Sequence, residues 1–107
     1  MKTYTGRRAE DGCAVTVSAG GDTRPLAPRF DLRRHSPTGF EWGYGGSGPA
    51  QLALALAADV LADDEAALGV YQRFKFRVVG RLSADAWTLT EAELAEVFHA
   101  LARLDGG

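Results

Sequence analysis

"FEWGYGGSGPAQLALALAADVL", residues 40–61, places three aromatic side chains ahead of a cluster of glycines and then runs straight into alanine and leucine at helical spacing. Leu52, Leu54, Leu56, Val60 and Leu61, separated mainly by alanines, make the predicted helix apolar on nearly every side, and such a helix sits at the centre of a fold, covered all round. Pro49 suits the first helical position, where its missing N–H costs nothing, with Gly48 or Ser47 as N-cap.

On the C-terminal side, "ADDEA" (62–66) ends this helix and starts another: Asp63 can cap, and Asp64 and Glu65 complement the positive end of the new helix dipole. Leu68, Tyr71, Phe74 or Lys75, Val78 and Leu82 recur at helical spacing, with Arg73, Arg77 and Arg81 four apart on a separate stripe. "LSADAWTL" (82–89) reads as a loop. Thr90-Glu91-Ala92-Glu93 is a capping box, after which Leu94, Val97, Phe98, Leu101 and Leu104 form the apolar stripe of a last helix ended by Gly106-Gly107.

On the N-terminal side the period is two. Ala14–Ser18 is β-branched and alternating, "AGGD" (19–22) is a turn, and Arg24-Pro25-Leu26 follows it. Lys2 to Thr5 is a partner for the 14–18 strand across the polar "GRRAEDG", and Arg29 to Arg33 alternates like a half-buried strand. The expected fold is α+β: a small antiparallel sheet of three or four strands packed against three C-terminal helices, in one domain spanning 1–107.

Composition narrows the function. Net charge is −2, which gives no global field toward nucleic acid or an anionic membrane, although residues 1–35 carry seven basic side chains against four acidic ones. Nucleic acid is therefore set aside as a partner. The uncharged stretch 42–58 spends its first third on Gly, Ser, Pro and aromatics, too few apolar residues for a membrane span. Cys13 is the lone cysteine and no apolar run follows the N-terminal arginines, so a reducing cytoplasm is the expected location. Cys13 with two distant histidines is no metal signature, and neither a metal nor a cofactor is expected.

The segment 43–48, "GYGGSG", satisfies G-x-G-x-x-G and leads into a helix, but no following strand carries the acidic residue of a dinucleotide fold, and no Gly-Lys-Ser/Thr is present. The local physics survives the failed motif. A helix N-terminus has unsatisfied amides and positive dipole charge, and glycines let an anion approach the backbone. The residues so placed are Gly45, Gly46, Ser47, Gly48, Ala50 and Gln51, with Trp42 and Tyr44 as walls on which a flat group stacks and Arg33, Arg34 and His35 as added charge. The competing reading is that the glycines only let helix and sheet pack closely. His35 beside Ser36, with Glu41 or Asp31 to orient it and Ser47 as another nucleophile, raises a hydrolase. "HSPTG" reads better as a turn, and His99 as a surface or boundary histidine. Arg73, Lys75, Arg77 and Arg81 read as a solvated face that complements the helix dipole.

"HSPTGFEWGYGGSGPAQLALALAADVL" (35–61), "YQRFKFRVV" (71–79) and "WTLTEAEL" (87–94), with "YTGRR" (4–8) at the opening, resemble a bacterial and bacteriophage family catalogued as a domain of unknown function, number 6166. The resemblance covers nearly the whole chain and marks 35–51 as its hallmark segment. It brings no activity and no catalytic residue. Its occurrence in mobile elements implies a regulatory or anti-defence role. The functional expectation is a non-enzymatic binding domain for a small anionic, nucleotide-like ligand. The alternatives are a protein-interaction or inhibitor module, with a protein partner or a second copy of itself, and a small hydrolase using His35.

Overall fold

In the computed structural model residues 1–106 are described; Gly107 and the side chain of Leu104, both assigned above to the end of the last helix, lie outside what is described. The element order is β1 (Thr3–Ala9), β2 (Gly12–Ala19), β3 (Asp22–Pro25), α1 (Ser47–Leu61), α2 (Asp64–Arg77), a short 3-10 turn (Val79–Arg81), β4 (Ala86–Thr90) and α3 (Glu91–Gly106). The strands form one antiparallel sheet in the order β3-β2-β1-β4. This is the expected α+β architecture.

The β2–β3 hairpin closes in two residues, Gly20 and Gly21, both at positive φ (57° and 91°), the backbone that turn requires and glycine supplies without strain. In register, Tyr4 faces Val17 and Leu89, and Gly6 faces Val15 and Trp87. The even positions of β1 thus share the inner face with Val15, Val17 and Trp87, all buried.

That inner face measures out α1. At one end Lys2 and Tyr4 both bond Asp59 near the end of α1, at 3.1 and 2.6 Å to Oδ2, while Arg24 of β3 reaches Oδ1 at 2.8 Å. Burial alone would raise the Asp59 pKa, but the Tyr4 hydroxyl, Arg24 and Lys2 together hold it below the usual value. At the other end Arg8 grips Glu41 and the Trp42 carbonyl, just ahead of α1. Leu52 to Ala57 are fully buried between sheet and helices, as an all-round apolar helix demands, and Phe74 of α2 meets Phe98 of α3 at 4.5 Å between ring centroids.

Five local expectations differ. Arg29–Arg33 is not a strand: Arg29 has φ +62°, and Leu32 and Arg33 donate back to its carbonyl, giving turns after Pro28. "LSADAWTL" is not wholly loop, since its end enters β4 and pairs with β1. The expected pairing of Lys2–Thr5 is longer, running to Ala9, so that only Glu10 and Asp11 connect β1 to β2. The N-cap of α1 is Gly46, with no side-chain cap, which puts Pro49 third in the helix, still among positions whose amides need no partner inside it. Finally α2 stops at Arg77 rather than continuing to Leu82. Asp63 does cap α2, accepting from the Ala66 amide at 3.1 Å, and the Thr90–Glu93 capping box closes in both directions.

Candidate functional site

The approach to α1 is fixed from the sheet side. Arg8 Nη2 donates to Glu41 Oε1 at 2.7 Å and to the Trp42 carbonyl at 2.9 Å, its Nη1 reaches Asp85 at 2.8 Å, and its guanidinium lies 4.8 Å over the Trp42 ring. That guanidinium holds the Glu41 carboxyl below its ordinary pKa. Trp42 is itself 1% exposed, with Nε1 on the Ala84 carbonyl at 2.8 Å and its ring edge-on to Trp87. It is therefore core and does not wall an open hollow. Gly48 packs on Glu41, where a Cβ would come 2.6 Å from the Glu41 Cβ.

The second anchor is Gln51, fully buried on α1. Its Oε1 accepts from the His35 and Ser36 amides (2.7 and 3.2 Å), and its Nε2 donates to the carbonyls of Pro28 and Arg33 (2.7 and 3.1 Å). One amide group thus ties the whole 28–36 loop to the helix, satisfying backbone groups that no strand pairs. The same four bonds spend the Gln51 side chain. The Ala50 amide is likewise spent, on the Gly46 carbonyl at 3.1 Å, and Pro49 has none. Of the helix's leading amides, those of Ser47 and Gly48 are left without a protein acceptor among the described residues.

Beside those amides the surface is aromatic. Tyr44 is 51% exposed and its ring folds over Gly46; Phe76, from the far end of α2, is 60% exposed and would lie 3.7 Å from a Cβ on Gly45. Phe40, the first aromatic of the segment, is half-buried against the core. His35, half-buried, sits on the neighbouring side with Nε2 2.7 Å from the Tyr71 hydroxyl, which also accepts from Gln72 at 3.2 Å. Burial pushes the His35 pKa down, and the positive charges of Lys75 and Arg33 push it further. Arg33 and Arg34 are exposed; Arg33 bonds the Leu32 carbonyl and Arg34 lies over the exposed Phe30 ring, 5.7 Å from its centroid.

Sequence reasoning missed two residues of this face, Phe76 and Lys75. Lys75 does not belong to a solvated stripe: it is 9% exposed, with its ammonium 4.3 Å from the Phe76 centroid. Its position one turn after Tyr71, on the apolar stripe, was the available signal. The hydrolase parts do not assemble around His35: its ring partner is Tyr71, Glu41 is engaged by Arg8, and Asp31 is held by Arg29 through two 3.0 Å bonds. Among the described residues, hollows lie elsewhere, and two of them bear on function. One of about 290 Å³ is lined by Lys2, Arg29 and Asp59, charges already paired; the other, about 330 Å³ and apolar, is lined by Leu61, Val70 and Phe98.

Fold and surface together define a small α+β domain in which a buried helix is headed by glycines and exposed rings. The chain belongs to the family of unknown function DUF6166, whose model matches residues 4–100. No curated protein and no solved structure matches it. Among the described residues, no helix is long and apolar enough to cross a membrane.

Proposed function

We propose that this chain is a non-enzymatic binding domain that holds a small anionic, nucleotide-like molecule on the ledge of Tyr44, Gly45, Gly46 and Phe76 at the head of α1. The observation that carries this is the pair of large rings left in solvent, Tyr44 and Phe76, on either side of glycines that add no side chain between them. A base stacked on such a ring gains about 1–3 kcal/mol. The amide of exposed Ser47, backed by about half a unit of helix-dipole charge, suits a phosphate or carboxylate carried by the same molecule. Sequestration of such a molecule is a role consistent with the bacteriophage resemblance.

The test is a melting-temperature screen against nucleoside monophosphates, nucleosides and inorganic phosphate. The monophosphates are expected to raise the transition most, and Tyr44→Ala to weaken that binding roughly tenfold, the loss of about 1.4 kcal/mol, with an unchanged circular-dichroism spectrum. No shift with any of them contradicts the reading.

A second reading, a protein-interaction module, draws on the apolar groove of about 330 Å³ between the end of α1, α2 and α3. It predicts concentration-dependent association or a co-purifying protein, sensitive to Val70→Lys on the groove wall.

A further inference from the structure

We propose that the free edge of β4 takes an extended, basic segment of a partner protein as a further strand of the sheet; this does not depend on the binding reading above. In the order β3-β2-β1-β4, β4 is an outer strand. The Asp85 carbonyl accepts from the Arg8 amide at 2.7 Å, and the Glu91 amide donates to the Lys2 carbonyl at 2.9 Å, both on the β1 side. Backbone groups alternate sides along a strand, so Trp87 and Leu89 also turn to β1, while Ala86, Thr88 and Thr90 turn outward. The Thr90 amide is taken by Glu93 Oε1 at 3.0 Å. The amides and carbonyls of Ala86 and Thr88, both exposed residues, have no protein partner among the described residues. The opposite edge of the sheet is blunted: β3 carries Asp22, Arg24 and Pro25, whereas Ala86–Thr90 holds neither charge nor proline.

Charge selects the occupant. Residues 85–102 carry Asp85, Glu91, Glu93 and Glu96 and no lysine or arginine. Ala95, Phe98 and His99 of α3 line a groove with Ala66 and Val70 of α2, so Glu93, Glu96, Val97 and Ala100 form the flank of α3 turned away from α2. Glu93 joins that flank to the open edge. A lysine or arginine at the end of an added strand can lay its aliphatic stem on Val97 and bring its charge to Glu96, which no base pairs among the described residues. β-Branched residues suit the places beside Thr88. A second copy fits poorly, because antiparallel pairing of β4 with itself sets the Asp85 end of one copy against the Glu91 and Glu93 end of the other.

The probe is a capped peptide of alternating lysine and valine, titrated into the intact chain and read by amide-resolved NMR, with an alternating glutamate and valine peptide for comparison. The lysine peptide is expected to give saturable shifts at Ala86, Thr88 and Glu93 to Ala100 and to slow amide exchange at Ala86 and Thr88; the glutamate peptide is expected to give none. Thr88→Pro removes an outward amide and no ladder bond to β1, and should weaken the lysine peptide roughly tenfold or more. Glu96→Lys should weaken it roughly fivefold, and Thr88→Val should leave it unchanged. Circular dichroism checks that each variant folds, and Glu96→Lys with the two peptides decides the matter if Thr88→Pro does not. No saturable shift at millimolar lysine peptide, shifts on other surfaces alone, equal binding of the glutamate peptide, or full binding by folded Thr88→Pro or Glu96→Lys overturns the proposal. So does a dimer in sedimentation that Thr88→Pro disperses, which makes a second copy the occupant.

Discussion

Gly46 and Gly48 lie two residues apart in the same glycine run, yet a methyl group added to each meets different resistance. At Gly48 it meets Glu41, which Arg8 pins, so Gly48→Ala is expected to cost about 1–3 kcal/mol in urea unfolding. At Gly46 it meets the Tyr44 ring, half in solvent and free to swing, so Gly46→Ala should leave stability near wild type while changing Tyr44 fluorescence and ligand affinity. The two readings of the glycine run are thus divided between two glycines: one is a packing contact, the other borders the ledge. Gln51→Leu strands four backbone groups of the 28–36 loop and is expected to lower stability by upward of about 2 kcal/mol. His35 gives a pH signature. Its folded pKa lies below the ordinary value of 6.5, so the unfolded chain binds more protons in that window. Its contribution is complete above 6.5 and is lost as pH falls through the folded value. Melting temperature between pH 7 and pH 5 should therefore fall more steeply in wild type than in His35→Gln.

Helices were legible from the sequence because their signals are local: the Asp63 cap, the Thr90–Glu93 box and the apolar stripe of α3 all lie within a few residues of what they specify. Thr90→Ala, which removes the hydroxyl that accepts from the Glu93 amide, is expected to cost about 1 kcal/mol, read as a lowered melting temperature. The misread segments take their hydrogen bonds from far along the chain. β4 is five residues long and exists because β1, far back along the chain, pairs with it. The 28–36 loop alternates like a strand but is held by one glutamine side chain on α1, a partner that periodicity cannot reveal. The candidate site was half legible for the same reason. Tyr44 and the glycines stand in one continuous motif, whereas Phe76 and Lys75 reach it only because α2 runs back along α1 and ends beside its head.

At the scale of the molecule, α1 is both the core and the support of the ledge. β1 holds it near its far end through Asp59 and steadies its approach through Glu41 and Trp42, so the surface at its head rests on the most buried part of the chain. Rigid support of that kind suits recognition without large movement. With a net charge of −2 the chain as a whole does not draw in an anion, so attraction at the ledge is local, and such binding should weaken as salt is raised. The most direct test is an amide-resolved NMR titration of the intact chain with adenosine monophosphate. Saturable shifts are expected at Tyr44 to Gly48 and at Phe76, with the sheet and α3 unmoved. Saturable shifts confined to other surfaces, or none at millimolar ligand, would contradict binding at the ledge.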